Sequence, residues 1–157
     1  MFFNFGRYSV EINVNKTKQF YEKARKISQE CSCDGCQNYE LAFEYLPNSV
    51  KEFFDMLGVD YKKVCECYVN TKNSDRTLLY GGFYHICGTL ISGNSAWVEE
   101  NNNSLHWDED IAYKIDDNFQ VSFQNEVCIL EEGFPKPVIQ LEFLASIPWV
   151  LNKECTY

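Results

Sequence analysis

The chain has 157 residues, of which 45% are hydrophobic and 16% aromatic, so it can bury a core and does not have the composition of a disordered segment. Fourteen basic against 23 acidic side chains give a formal net charge of −9, and a surface of that sign repels phosphate backbones and anionic lipids. We therefore expect one domain over residues 1–157, and we expect neither nucleic acid nor membrane as a partner.

The N-terminal residues lack a signal-peptide pattern, and the apolar runs are shorter than the roughly 20 residues that span a bilayer. These features predict a cytoplasmic protein. In a reducing compartment its eight cysteines are expected to be thiols or metal ligands rather than disulfides.

In the N-terminal part of the chain the sequence pattern predicts one strand and then a helix. The stretch "RYSVEINVN" places Val10, Ile12 and Val14 on one side by the period of a strand. Phe20, Ala24 and Ile27 follow at i, i+4 and i+7, which is the spacing of one helical face. This helix is expected to run into the cysteine-rich segment.

Two further helices are predicted from capping patterns. Asp34 with Gln37 three residues later indicates a helix start that places Cys36 in the first turn. A second capping box begins at Ser49, and Gly58 suits the left-handed end of that helix.

After residue 60 the chain becomes rich in aromatic and β-branched residues, which is typical of strands. The predicted strand segments are "VCECYV", "TLLYGGFYHICGTLI", "DIAYKI", "FQVSFQNEVCIL" and "VIQLEFLASIPWV". The polar stretches between them, including "SGNSAWVEENNNS", are predicted to be surface loops. Early helices and late strands predict an α+β fold, a largely antiparallel β-sheet meander with the helical segment packed on one face.

Four signatures occur in order along residues 8–151: "CSCDGCQNY", "MLGVD", "LYGGFYHICG" and "VIQLEFLASIPWVL". By them the chain resembles an uncharacterised family of small bacterial proteins. The resemblance implies a shared fold and no particular activity. Its motif residues here are Cys31, Cys33, Cys36, Asn38 and His85.

The CxCxxC spacing of Cys31, Cys33 and Cys36 allows three thiols to turn toward one point, beside a helix start that favours thiolates. Structural Zn²⁺ needs four ligands, so one is missing from the local motif. His85 is the first candidate for it, because neutral imidazole binds zinc well. The other candidates are Cys65, Cys67, Cys87 and Cys128. A structural turn without metal remains open.

The sequence predicts a non-enzymatic cytosolic interaction domain with a zinc-binding site at Cys31, Cys33, Cys36 and His85. One alternative is a small-molecule-binding or catalytic domain with a pocket around Tyr84 and His85. Another is a thiol redox protein that uses Cys33 and Cys36 as a CxxC pair, although the strand–helix context of that motif is lacking.

The partner predicted from charge is a basic protein, because the excess acidic residues lie mainly outside the basic segment 16–26. The acidic residues expected to form that surface are Glu99, Glu100, Asp108, Glu109 and Asp110. Solubility alone is the alternative explanation for the net charge.

Overall fold

The computed structural model describes all residues, 1–157. The helices are α1 (Val14–Lys23), α2 (Ile27–Glu30), α3 (Asp34–Ala42) and α4 (Asn48–Leu57), and short 3-10 helices cover Phe43–Tyr45 and Tyr61–Lys63. The strands are β1 (Phe2–Phe5), β2 (Tyr8–Ile12), β3 (Glu66–Lys72), β4 (Leu78–Ser92), β5 (Trp97–Glu99), β6 (Leu105–Trp107), β7 (Tyr113–Asp116), β8 (Phe119–Gln124) and β9 (Val138–Ile147). The predicted α+β class is confirmed.

Seven strands form one sheet in the order β1-β2-β4-β9-β8-β7, with β3 also paired to β4, and every pair is antiparallel. The centre of the sheet is the long pair of β4 and β9, whose register runs from Leu78 opposite Ile147 to Cys87 opposite Val138. Consecutive strands pair as β3–β4 and as β7–β8–β9, which are the antiparallel hairpins of the predicted meander.

The side chains of β4 alternate between two different environments. Tyr84 points to the helical layer, where its hydroxyl lies 2.7 Å from the hydroxyl of Tyr39 on α3 and its ring lies 5.0 Å from that of Phe54 on α4. The next residue, His85, points to the opposite face and contacts Phe134 in the loop between β8 and β9. The two-residue period of a strand therefore separates neighbours in sequence onto two faces.

The helices α3 and α4 cover the core face of the sheet. On α4, the apolar stripe Val50, Phe53, Phe54 and Leu57 is buried, and the helix ends at Gly58 with a φ of 75°, as the sequence predicts. Together with the inner face of the sheet these helices enclose a cluster of 29 buried hydrophobic residues.

The helix α1 covers a gap at the edge of β4 between the segments that pair with β2 and with β3. The hydroxyl of Thr17 accepts the backbone N–H of Cys87 at 3.1 Å, and the hydroxyl of Tyr21 donates to the carbonyl of His85 at 2.9 Å. These hydroxyl groups make the hydrogen bonds that a neighbouring strand would otherwise make, so the buried backbone groups at this edge have partners.

Several predicted boundaries are wrong. Val14 begins α1 instead of continuing the first strand, and α1 ends at Lys23, so the spacing of Phe20, Ala24 and Ile27 does not mark one continuous helix. The segment "SGNSAWVEENNNS", predicted as a loop, contains β5, which pairs with β6 in a separate two-stranded sheet. The helix predicted to start at Ser49 begins one residue earlier, after Pro47.

None of the helices is long and apolar enough to cross a membrane.

Candidate metal centre

The cysteine-rich segment forms the start of α3. Cys33 is the N-cap residue, and its Sγ accepts the backbone N–H of Cys36 at 3.4 Å. Asp34, predicted as the cap, is instead the first helical residue, because the extended backbone of Cys33 turns its sulfur toward the open N–H groups. The prediction that Cys36 lies in the first helical turn is confirmed.

The thiols of Cys31, Cys33 and Cys36 converge. Their Sγ atoms lie within 4.8 Å of one another, and those of Cys31 and Cys33 are 3.3 Å apart. Cys33 is exposed, Cys31 is half-buried and Cys36 is buried, so the cluster reaches from the surface into the core. These three residues lie close enough to bind a metal ion.

A fourth thiol approaches this cluster from the sheet. The Sγ of Cys67 on β3 lies 3.9 Å from that of Cys36. Cys67 pairs with Gly82 on β4, which brings it to the side of the sheet that carries α3. In a tetrahedral site with Zn–S bonds of about 2.3 Å, neighbouring sulfur atoms are about 3.8 Å apart.

Ionisation of the three thiols is unequal. The backbone N–H of Cys33 and the neighbouring thiols lower the pKa of Cys31. Burial raises the pKa of Cys33 to about 11, and contact with Cys67 together with burial raises the pKa of Cys36. The cluster thus holds one thiolate more easily than several, and a bound dication would supply the charge that balances the others.

His85 does not join this cluster, which corrects its prediction as the fourth ligand. Its side chain is fully buried on the opposite face of the sheet. Its Nδ1 lies 2.9 Å from Oε2 of Glu131, and its Nε2 lies 3.0 Å from the carbonyl oxygen of Cys128.

His85 instead belongs to a second group with Cys65 and Glu131. One ligand atom from each of these residues lies within 4.8 Å of the other two. Burial raises the pKa of the Cys65 thiol to about 12, and the nearby Glu131 carboxylate adds to the rise. An imidazole and a carboxylate therefore meet at a half-buried thiol here.

A cleft of about 1310 Å³ lies beside this second group. It is lined by Cys65 and Glu131, by α1, and by the loop of residues 129–135. Tyr84 and His85, predicted to line a pocket, are themselves fully buried, so the open space next to His85 is reached through Cys65 and Glu131.

Sequence patterns did not single out two of the residues at these sites, Cys67 and Glu131. Cys67 was one of several possible fourth ligands, and only the pairing of β3 with β4 singles it out. Glu131 lies after the segment that was predicted to be strand as far as Leu130, whereas β8 ends at Gln124. The polar pair Asn125 and Glu126 is the sequence signal for that earlier end.

No protein-family model, curated protein or solved structure matches this chain. The resemblance to a bacterial family therefore stays a prediction, and the geometry of the two side-chain groups is the basis for the functional argument.

Proposed function

We propose that residues 1–157 form a non-enzymatic cytosolic interaction domain in which Cys31, Cys33 and Cys36 bind a structural Zn²⁺ ion. The observation that carries the proposal is the convergence of the three Sγ atoms within 4.8 Å at the start of α3. Thiolate sulfur is the commonest donor of structural zinc sites. Cys67 is the proposed fourth ligand, because its Sγ lies 3.9 Å from that of Cys36.

A structural role follows from the elements that the ion would join. Cys31, Cys33 and Cys36 belong to the helical layer, and Cys67 belongs to β3 of the sheet. An ion held by all four residues cross-links these layers. Binding free energy at such a site adds to the free energy of folding.

The C-terminal segment is fastened to the helix start that carries the proposed ligands. The hydroxyl of Tyr157 accepts the backbone N–H of Gly35 at 3.2 Å, and the ammonium group of Lys153 pairs with the carboxylate of Asp34. Structural zinc sites have four protein ligands, and these contacts hold the helix start that would supply two of them, Cys33 and Cys36.

The redox alternative has less support. Its attacking thiol would be Cys33, which is exposed as that mechanism requires. However, burial raises the pKa of Cys33 to about 11, whereas reactive cysteines have a lowered pKa. The raised pKa therefore weighs against Cys33 as an attacking thiol in the absence of metal.

Metal analysis of protein purified without added zinc tests the proposal. We expect zinc at this site to copurify and to withstand dialysis, because structural sites in small peptides bind it with apparent free energies of about 10–16 kcal/mol. The Cys33→Ser variant, which changes an exposed side chain, should lose this zinc and show a lower unfolding temperature. The proposal is wrong if the three thiols of the purified wild type titrate freely and Cys33→Ser changes neither metal content nor stability.

Cobalt substitution tests the fourth ligand. Co²⁺ bound to thiolates absorbs in the near ultraviolet in proportion to the number of thiolates, so Cys67→Ser should weaken this band relative to the wild type. Cys155→Ser is the matched control, because Cys155 is another half-buried cysteine outside the cluster. An unchanged band in Cys67→Ser would remove Cys67 from the ligand set and leave the three-thiol site standing.

The interaction surface that we propose is the acidic region of residues 99–117. Its acidic residues are Glu99, Glu100, Asp108, Glu109, Asp110, Asp116 and Asp117, and five of these seven are exposed. The same region contains one lysine, Lys114, which is already paired with Asp117 at 2.9 Å. A concentration of one charge on one face accelerates association with a partner of opposite charge. We therefore propose a basic protein as the partner.

Pull-down from the native host at low salt tests the surface. The variant changes Glu99, Glu109 and Asp110 to their amides and leaves Asp108 intact, because its carboxylate accepts the backbone N–H of Asp110 at 2.9 Å. We expect the variant to retain less of a basic partner, and the difference to shrink at high salt.

The matched control for this pull-down removes three negative charges elsewhere. Glu22, Glu52 and Glu154 are exposed and lie outside residues 99–117, so their change to Gln makes the net charge less negative by the same amount. Equal loss of binding in both variants would mean that net charge alone matters. Retention of no basic protein by the wild type would contradict the proposed partner.

A further inference from the structure

Three side chains suited to metal binding meet beside the cleft of about 1310 Å³, on the face of the sheet away from the cysteine cluster at α3. Cys65 precedes β3, His85 lies in β4, and Glu131 lies in the loop between β8 and β9. They are far apart in sequence, yet one ligand atom from each lies within 4.8 Å of the other two. Such convergence from three separate elements requires the tertiary fold.

The hydrogen bonding of His85 leaves Nδ1 of its ring free to bind a metal ion. A carbonyl oxygen can only accept, so Nε2 must donate its hydrogen to the carbonyl of Cys128, at 3.0 Å. In the neutral ring this leaves Nδ1 with a free lone pair. Histidines that bind metals characteristically donate their other ring N–H to a carbonyl or carboxylate in this way.

Nδ1 faces the carboxylate of Glu131 rather than a donor. The two atoms are 2.9 Å apart, and both are acceptors unless a proton or a cation lies between them. The thiol of Cys65 stands beside the same position. A dication there would satisfy all three groups, since thiolate, imidazole and carboxylate are each zinc ligands.

We propose that Cys65, His85 and Glu131 bind a second divalent transition-metal ion, for which Zn²⁺ is the best match, and leave one coordination position open to the cleft. Three protein ligands with an open fourth position distinguish this centre from the closed cysteine site. The mixed sulfur, nitrogen and oxygen donors select a transition metal over Mg²⁺ or Ca²⁺.

The adjustment required for binding is small. In a tetrahedral zinc site a ligand nitrogen and oxygen are about 3.4 Å apart, which is about 0.5 Å more than the present distance between His85 and Glu131. His85 is held by the pairing of β4 with β9 and by the carbonyl of Cys128, whereas the side chain of Glu131 is 36% exposed and lies in a loop. Glu131 is therefore the ligand that moves.

The loop backbone is shaped to hold these partners against His85. Ile129 has a φ of 48°, which is unfavourable for a β-branched residue. It lies between Cys128, whose carbonyl accepts from His85, and Glu131. Its own carbonyl accepts from the Cys65 thiol at 3.5 Å.

The cleft favours a small anion or water at the open position. Its wall on α1 includes Lys16 and Lys23, whereas the neighbouring Arg25 is paired with Glu30 at 3.3 Å and Glu132 also lines the cleft. An open position on a dication with lysine side chains nearby attracts negative charge. The ligand class that we assign is therefore a small anion such as a carboxylate.

Metal titration of the chelator-treated full chain with Co²⁺ tests the second site. We expect the wild type to bind about one equivalent more than either Glu131→Gln or Cys65→Ser. Cys128→Ser is the matched control, since it removes an exposed thiol beside the site and leaves the backbone carbonyl in place. It should bind as much as the wild type.

The result is independent of the cysteine cluster at α3, because only the difference between the wild type and Glu131→Gln is used. The thiolate band of that cluster, where present, also reports that the variant is folded. Equal binding by the wild type and Glu131→Gln would overturn the proposal.

Addition of azide tests the open position. Azide should change the visible absorption of the Co²⁺ that depends on Glu131 and leave the spectrum of Glu131→Gln unchanged. An unaltered wild-type spectrum at saturating azide would contradict an open coordination position, whatever the stoichiometry.

Discussion

Replacement of Asn38 by Leu should test how α3 is joined to the C-terminal segment. The Asn38 side chain is fully buried, and its Nδ2 donates to the carbonyl of Pro148 at 3.0 Å and to the hydroxyl of Tyr80 at 3.3 Å. Its Oδ1 accepts the backbone N–H of Val150 at 2.7 Å. Leucine has a similar volume and can make none of these hydrogen bonds, so the substitution separates polar pairing from packing.

The expected cost follows from the groups left without partners. The carbonyl of Pro148 and the N–H of Val150 would each lose their bond to the amide. An unpaired buried polar group costs about 1–3 kcal/mol, and relaxation toward solvent at the half-buried Pro148 and Val150 lowers the cost of each. We expect Asn38→Leu to lower the free energy of unfolding by about 2–4 kcal/mol, a large part of the 5–15 kcal/mol typical of a domain.

Urea unfolding at one fixed zinc concentration measures this cost, because a bound ligand shifts stability by mass action. The midpoint should fall while the slope with urea stays unchanged. Asn152→Leu is the matched control, since Asn152 is exposed in the same C-terminal segment, and it should change stability by less than about 0.5 kcal/mol. A cost of less than about 1 kcal/mol for Asn38→Leu would refute the reasoning from unpaired groups.

Three further substitutions test the polar and packed parts of the sheet. Burial raises the pKa of Glu142, so its neutral form stabilises the fold at low pH, and this contribution is lost as the pH rises through the raised pKa. The melting temperature of Glu142→Gln relative to the wild type should therefore increase from pH 4 to pH 8, and a constant difference would contradict this. Gly82→Ala would place a Cβ 2.2 Å from the carbonyl oxygen of Glu66. We therefore expect it to lower the free energy of unfolding, measured in urea, by about 3 kcal/mol, and an unchanged free energy would contradict this. Tyr84→Phe leaves the carbonyl of Tyr61 without the hydroxyl that donates to it at 2.7 Å, and it should cost about 1–3 kcal/mol by the same assay, with a change below about 0.5 kcal/mol arguing against it.

Local patterns predicted the elements whose geometry is decided locally. The apolar stripe of α4 and its end at Gly58 follow from side-chain spacing and from the freedom of glycine at a φ of 75°. The failure at Val14 has a physical reason too. The alternation of Val10, Ile12 and Val14 continues across the boundary between β2 and α1, where Asn13 caps the helix by accepting the N–H of Lys16 at 3.0 Å.

The proposed metal ligands depend partly on contacts that spacing cannot reveal. Cys31, Cys33 and Cys36 are close in sequence, and their convergence was predictable from the motif. The proposed fourth ligand, Cys67, was not predictable from the motif, because its position depends on the register of β3 against β4. Cys67 pairs with Gly82, three residues before His85, and an odd offset along a strand changes the face of the sheet.

Cys65 and Cys67 show how one short segment serves both groups. A continuous strand would point residues two apart to the same face, but β3 begins only at Glu66, so the chain before it is free to turn. Cys67 therefore approaches Cys36 beneath the helices, while Cys65 approaches His85 and Glu131 beside the cleft. The two proposed ions would lie on opposite faces of the same sheet and share no ligand. Each can then be removed by substitution without changing a ligand of the other, since sites without common partners act nearly independently.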